Sequence, residues 1–196
     1  MKAIEGNAPM NRLKSLAKQL KEIVEGLTYL TRKSGLKVER ASSLIQMAIF
    51  NMEYRLKHHQ IKLINGLTDL NDPDFSTKCI RRLVISSLIN LIDNSIWWLE
   101  NKGASNKMLY IGTSLGLPEG PAIVIADNGP GFIDPPECLI EPFFSRKPDG
   151  MGLGLHLVSE IMKAQGGRLV FPEVNDLSLP PDINGAIVAL VFKEEE

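Results

Sequence analysis

Apolar residues recur at helical spacing through the first third of the chain. One run has gaps of three and four residues and stops at Ser34-Gly35, after which a second run repeats the spacing. Polar residues fill the positions between, which is typical of amphipathic helices. The pattern predicts a helical hairpin over residues 1–58, with apolar stripes at Leu13, Leu16, Leu20, Ile23, Leu27 and Leu30 and at Val38, Ala41, Ile45, Ala48 and Met52.

Each apolar stripe of this hairpin needs a surface that covers it. Two hairpins from two chains would form a four-helix bundle, so the first interpretation is a homodimer through the N-terminal helices. In the second interpretation both helices pack on the remainder of the same chain. The sequence leaves both arrangements open.

Residues 59–196 alternate between strand-like and helical patterns. Strands are predicted at 61–65, 108–115, 122–126, 168–171 and 186–192, and helices from Ser76 or Thr77 to about Asn101 and over 153–165. Regular helical crossovers between strands are missing from this order, which argues against a doubly wound parallel sheet. The predicted class is α+β, a two-layer sandwich of a mixed sheet with helices on one face, preceded by the hairpin.

The composition narrows the class of protein. Of 196 residues, 44% are hydrophobic and 23% are charged, an ordinary globular balance, and the net charge of −1 offers no general attraction for nucleic acid. Two cysteines, Cys79 and Cys138, form neither a disulfide framework nor a CxxC pair, so a cytoplasmic protein is expected. Neither a signal core nor a run of 18 apolar residues occurs, so no membrane span is expected.

Two asparagines lie one turn apart on the long predicted helix. At helical periodicity, Asn90, Asn94 and Trp97 fall within about 60° of one another. Asparagine is a modest helix former, so two on one face need an explanation. An amide oxygen is a hard, neutral ligand suited to Mg²⁺, which shares substrate phosphates. The alternative is that both side chains are solvated or cap a neighbouring loop.

Two glycine-containing segments follow that helix. Asp127-Asn-Gly129-Pro-Gly131 comes directly after an apolar strand, where a half-buried carboxylate can accept a hydrogen bond from the amine of a base; the same letters also suit an ordinary turn. In residues 141–155, alternating glycines open a helix whose free N–H groups form an anion site, with Arg146 and Lys147 just upstream. Neither the dinucleotide fingerprint nor a P-loop is present.

The order of these segments resembles a known nucleotide-binding family. An asparagine helix, a DxGxG turn, a flexible segment and a GxGxG helix start resemble the Bergerat-type ATP-binding domain shared by sensor histidine kinases, gyrase B, the MutL proteins and the ninety-kilodalton heat-shock chaperone. The string EPFFSRKPDGMGLGL at 141–155, continuing to Gly167, is similar to the histidine-kinase version. The resemblance covers about residues 50–193. It implies a mixed sheet backed by three helices, with ATP between the helices and a mobile lid.

The resemblance also implies roles for individual residues. Asn94 would bind Mg²⁺ with Asn90 as its upstream partner, and Asp127 would accept from the adenine amino group. Phe143 and Phe144 would anchor the lid, and Lys147 would reach the phosphates. One of the two tryptophans, Trp97 or Trp98, would stack near adenine; the alternative is that both belong to the core or to a partner surface. The remaining implied contacts come from the glycine-containing segments: Gly129 and Gly131 around the base, and Gly150, Met151, Gly152, Leu153 and Gly154 around the phosphates.

Departures from the family pattern shape the predicted function. Asn90 stands where the ATPase branches carry a glutamate base, and an amide cannot take a proton from water at neutral pH. The first predicted helix holds no histidine, and His58 and His59 lie at the end of the second, so residues 1–58 resemble a dimerisation region without its phosphoacceptor.

The resemblance therefore implies a Mg²⁺- and ATP-dependent kinase domain, residues 59–196, that acts in two-component signalling. It would transfer phosphate to a protein partner or to a missing part of the parent protein. Two alternatives remain open at this stage: a nucleotide-gated interaction module without phosphotransfer, and a slow ATPase of the same fold.

Overall fold

The computed structural model describes residues 35–101, 106–148 and 150–193. The strands are β1 (Lys37–Arg40), β2 (Ile61–Asn65), β3 (Ser76–Cys79), β4 (Lys107–Ser114), β5 (Ala122–Asp127), β6 (Arg168–Val170) and β7 (Ile187–Val191). The helices are α1 (Ala41–His58), α2 (Gly66–Asp69), α3 (Arg81–Asn101), α4 (Pro136–Leu139) and α5 (Gly154–Ala164), with a short 3₁₀ turn at Val174–Asp176. The predicted first helix of the hairpin lies outside the described residues.

Five strands form one mixed sheet in the order β2-β4-β5-β7-β6. The β2–β4 pair is parallel and the other pairs are antiparallel. Strand β5 is central, and all of its residues are buried. Its last residue, Asp127, is opposite Leu109 of β4, so a carboxylate is held at the end of a fully buried strand.

Helices α1, α3 and α5 cover one face of the sheet. Alternate residues of β4 and β5, among them Leu109, Ile111 and Ile125, pack against buried positions of α3 such as Leu88. Residues of opposite parity face a second apolar cluster that is closed by loop residues such as Ile183. This period-2 division of the strands builds the two layers and confirms the predicted α+β sandwich with its mixed sheet.

The second helix of the predicted hairpin is part of this sandwich. Val38 lies in strand β1 rather than in a helix, and the helix begins only at Ala41. The apolar stripe of α1 is buried in the same core as α3, which leaves none of it for a bundle. The compact unit accordingly starts at Leu36, in contrast to the boundary predicted after residue 58.

The start of the long helix also differs from the prediction. Ser76 and Thr77 do not cap it, because they belong to β3 and pair with Arg40 and Glu39 of β1. Within the strand, Thr77 and Cys79 are buried while Ser76 and Lys78 are exposed, a strand pattern that four residues are too few to reveal in the sequence. The helix begins at Arg81 instead.

Asp74 caps helix α1 from outside the helix. Its Oδ1 accepts a hydrogen bond of 2.9 Å from the backbone N–H of Ser42, and its Oδ2 pairs with Arg40 at 3.0 Å. Burial raises the pKa of this carboxyl, but the hydrogen bonds from Ser42 and the charge of Arg40 outweigh it and hold the pKa below its usual value. A carboxyl with a depressed pKa stabilises the fold above its unfolded pKa, and that stabilisation is lost as the pH falls through the folded value.

We therefore expect Asp74→Ala to lower the free energy of unfolding by about 1 kcal/mol at neutral pH, the usual cost of losing a helix cap. The difference from the wild type should shrink as the pH falls below about 4, where the carboxyl protonates. Urea unfolding at several pH values measures both effects. Asp182→Ala, at an exposed position, is the matched control. An equal loss of stability at neutral and acidic pH would contradict the capping role.

Candidate functional site

A cavity of about 570 Å³ lies beside α3, and the ends of β5 and β7 contribute to its lining. Helix α3 provides one wall and the start of α5 another. The segment from Gly131 to Leu153, which we call the lid segment, lines much of the remainder. This volume lies within the range of cavities that enclose small-molecule ligands.

Asp127 is a fixed carboxylate in this cavity. The residue is 1% exposed, and its Oδ1 accepts hydrogen bonds from the N–H groups of Gly129 at 2.9 Å and Ala186 at 3.2 Å. The apolar side chains of Ile125 and Val188 line the cavity with it. A carboxylate held by two backbone donors in apolar surroundings is a directional hydrogen-bond acceptor for a ligand.

Gly185 makes this arrangement possible, and sequence reasoning missed it. A Cβ at Gly185 would lie 2.5 Å from the Gly129 nitrogen and 2.8 Å from Asp127 Oδ1, and the Gly185 N–H donates to the Asp127 carbonyl at 2.8 Å. The approach of these two backbones joins positions far apart in the chain. The one local signal is the pair Asn184-Gly185, a common turn sequence.

The polar face of α3 lies along the same cavity. Asn90, Asn94 and Trp98 line it, and Asn94 Nδ2 donates to Asn90 Oδ1 at 3.4 Å. Asp93 lines it as well, although helical periodicity turns it about 100° from Asn94. Its carboxylate forms an ion pair with Arg55 of α1, so the cavity also has a wall residue from that helix.

Lys147 connects the lid segment to α3. Its Nζ donates to Asn94 Oδ1 at 2.8 Å and lies 5.2 Å from the centre of the Trp97 ring. The pKa of this amine lies below its usual value, chiefly because the amine is buried. The charge of Asp93 opposes this effect and the charge of Arg55 adds to it. Trp97 itself is edge-on to Trp98, with ring centres 4.7 Å apart. Trp97 therefore packs against Trp98, which lines the cavity, and does not line the cavity itself.

The glycines of the lid segment sit where side chains do not fit. Gly152 has a φ of +68°, and a Cβ there would lie 2.4 Å from the carbonyl carbon of Phe143. Its carbonyl accepts from the Phe143 N–H at 2.9 Å, and Phe143 itself has a φ of +70°. At the start of α5, a Cβ on Gly154 would lie 2.7 Å from Asn90 Oδ1. Backbone is thereby exposed to the cavity beside the asparagines.

Most of the residues that the sequence singles out meet in this one cavity. The predicted residues that line it are Asn90, Asn94, Trp98, Asp127, Gly131, Phe144, Lys147, Gly150, Met151, Gly152, Leu153 and Gly154. Gly129 does not line it and acts instead through its hydrogen bond to Asp127. His58 stacks on Tyr54 and His59 pairs with Glu100, so both histidines are engaged away from the cavity.

The described ranges hold no group of three or more His, Cys, Asp or Glu side chains that would bind a metal on its own. A metal in this cavity would therefore use amide oxygens together with oxygens of a bound ligand. Within the same ranges, no helix has the length and apolar character needed to cross a bilayer.

Known structures share this fold. Over 80% of this chain and 96% of the other, the mycobacterial sensor histidine kinase MprB superposes with a TM-score of 0.59 at 20% identity. The catalytic domain of histidine kinase ThkA superposes with a TM-score of 0.58 at 20% identity, over 79% of this chain and 93% of the other. The ATP-binding domain of PrrB from Mycobacterium tuberculosis superposes with a TM-score of 0.55 at 19% identity, over 83% of this chain and 99% of the other.

Curated proteins with similar sequences include a nitrogen regulation protein and sensor proteins. The nitrogen regulation protein NtrY of Azorhizobium caulinodans is 29% identical over 161 residues, 79% of this chain and 19% of its own length. The sensor protein TdiS of Thauera aromatica is 31% identical over 91 residues, 45% of this chain and 17% of its own. The C4-dicarboxylate transport sensor protein DctB of Rhizobium meliloti is 40% identical over 83 residues, which are 42% of this chain and 13% of its own length.

The chain thus spans less than a fifth of the length of these curated relatives. No family model matches the sequence. The fold is that of the histidine-kinase catalytic domain. These findings confirm the resemblance to the histidine-kinase type of ATP-binding domain that the sequence predicts.

Proposed function

We propose that the cavity binds ATP with Mg²⁺ and that the domain transfers the γ-phosphate to a residue on a partner protein or on another part of the parent protein. The observation that carries the proposal is the composition of a single cavity. A fixed carboxylate, Asp127, lies among apolar residues, while two amides, a lysine and exposed glycine backbone lie along α3 and the lid segment.

The carboxylate suits the base of an adenine nucleotide. An exocyclic amine donates to it, whereas the carbonyl at the same position of guanine would be repelled. The flanking apolar side chains, Ile125 and Val188, suit a flat aromatic ring. The proposed specificity is therefore for adenine over guanine nucleotides.

The amide end suits a metal-bound phosphate chain. The oxygens of Asn90 and Asn94 are hard, neutral ligands, and a Mg²⁺ held there would neutralise negative charge on the phosphates. Asn94 Oδ1 now accepts from Lys147, so a metal ligand role for this oxygen requires the lysine to turn away. Its ammonium group then becomes available to the phosphates.

Phosphotransfer is favoured over hydrolysis by the residues that would have to act as a base on water. Asn90 cannot accept a proton from water at neutral pH. The hydrogen bond and charge of Arg146 hold the pKa of the Asp134 carboxyl below its usual value, which makes it a weaker base.

In the proposed step the acceptor atom bonds to the γ-phosphorus as the bond to the bridging oxygen breaks. ADP leaves with that electron pair, and the acceptor's proton passes to water.

A homodimer in the cytoplasm, formed through the N-terminal residues, completes the proposal. The leucine-rich heptad stripe of residues 13–30 supports it. Helix α1 does not, since its apolar stripe is buried in the catalytic unit.

Calorimetric titration of the chain with ATP, in Mg²⁺ and in EDTA, tests the proposal. We expect Asn94→Ala to reduce the affinity for ATP by about tenfold in Mg²⁺ and to leave the affinity in EDTA nearly unchanged, because it removes a metal ligand. Asn101→Ala, an exposed asparagine on the same helix, should behave as the wild type. Absence of ATP binding by the wild type at millimolar concentration would refute the proposal.

A nucleotide-gated interaction module is the second candidate. Ile133 and Met151 of the lid segment are each 74% exposed beside the cavity, while Lys147 of the same segment contacts Asn94. A nucleotide that displaced Lys147 would change how these apolar side chains are presented. Incubation with γ-labelled ATP and candidate partner proteins separates the two functions. Label on a partner supports phosphotransfer, and nucleotide-dependent association without label supports gating.

A further inference from the structure

Arg55 brings a second cation to the cavity from a helix outside the predicted motifs. It lies in the last turn of α1 and lines the cavity. Its guanidinium forms an ion pair with Asp93, the residue directly before Asn94. Its side chain is still 49% exposed, so the ion pair does not exclude it from solvent or from a ligand.

The position of Arg55 is set by a packed element. Its neighbours Met52 and Leu56 on α1 are buried in the core shared with α3. Lys147, in contrast, reaches the cavity from the lid segment, outside any helix or strand. The charge of Arg55 is close enough to act on the Lys147 ammonium. Two cations from independent parts of the fold thus line the same cavity, Lys147 against Asn94 and Arg55 against the adjacent Asp93.

We infer that Arg55 binds the phosphate chain of the nucleotide and makes the site select nucleotides by their number of phosphates. This inference rests on the proposed function. A guanidinium has five N–H donors in a planar fork that matches phosphate oxygens, and Asp93 engages only part of them. Without nucleotide, Asp93 balances the charge of Arg55. With nucleotide, the phosphates compete with Asp93 for the same donors.

The two members of the ion pair are therefore expected to act in opposite directions. Removing the charge of Arg55 removes a phosphate ligand. Removing the charge of Asp93 releases Arg55 and takes away a negative charge that repels phosphate. A purely structural ion pair between α1 and α3 would respond in the same direction to both substitutions, since either one breaks the bridge.

The experiment measures the affinities of ATP, ADP and adenosine for the full chain. We expect Arg55→Gln to lower the affinity for ATP about tenfold, to lower the affinity for ADP by less, and to leave the affinity for adenosine unchanged. Asp93→Asn should raise the affinity for ATP by about two- to threefold. Lys57→Gln is the matched control, because Lys57 is an exposed cation two residues away that pairs with Glu53. It should not change any of the three affinities.

Three results would overturn the inference while the proposed function stands: unchanged ATP affinity in Arg55→Gln, an equal loss for adenosine and ATP, or a loss of ATP affinity in Asp93→Asn. If the wild type binds adenosine but neither ATP nor ADP, or binds none of the three, both the inference and the proposed function fail.

Discussion

Asp127→Asn should lower the affinity for ATP by at least about 100-fold while the domain stays folded. The substitution replaces a carboxylate oxygen by an NH₂ group, so the charged acceptor is lost and one orientation of the amide presents a donor to the donor amine of adenine. Losing a charge-assisted hydrogen bond costs about 1.5–3 kcal/mol, and an unpaired buried donor adds to it. About 3 kcal/mol corresponds to somewhat more than 100-fold in affinity.

Titration calorimetry with ATP and GTP measures this effect. The remaining amide oxygen can still accept from the Gly129 and Ala186 N–H groups, so the melting temperature should change little. Asp182→Asn, at an exposed position, is the matched control and should bind ATP like the wild type. If ATP binds Asp127→Asn as tightly as it binds the wild type, the carboxylate does not recognise the base.

Gly152→Ala should have the second large effect, a loss of ATP affinity of about 30-fold or more. Alanine is strained at a φ of +68°, and its Cβ would meet the Phe143 and Phe144 backbone at 2.4–2.6 Å. Those atoms are main chain, so the lid segment must change its path. Backbone N–H groups offered to the phosphates would then be misplaced.

Titration and thermal unfolding together test this expectation. The melting temperature should change little although the affinity for ATP falls, because the lid segment lies outside the two apolar cores. Gly116→Ala is the control, since a Cβ there meets only the Ser114 hydroxyl, at 3.9 Å. An ATP affinity within twofold of the wild type in Gly152→Ala would show that the path of this segment is not needed for binding.

The sheet and the long helices were predictable because their patterns extend over many residues. The run of buried residues in β5 and the apolar face of α3, including Leu88 and Ile92, are strong periodic signals. The short strands β1 and β3 were not predictable, because four residues fit either period. Val38 happens to continue the helical spacing that starts at Ala41, and only the pairing of Val38 with Lys78 shows a strand.

For the candidate site, residues within one motif could be predicted and contacts between motifs could not. Asn90, Asn94 and Asp127 stand out by residue type and position along the sequence. Arg55 lines the cavity and Gly185 packs against Asp127 only through tertiary contacts, which no local pattern encodes. Ideal helical angles turn Asp93 about 100° from Asn94, yet the cavity wall includes both residues.

The backbone hydrogen bonds to Asp127 link ligand binding to a part of the backbone that is distant in sequence. The N–H groups of Gly129, Gly185 and Ala186 all donate to this one residue, and the last two belong to the loop that carries buried Ile183. A ligand that holds the carboxylate must oppose local opening of that loop. Deuterium uptake at these three amides is therefore a readout of purine binding that needs neither turnover nor an identified phosphoacceptor.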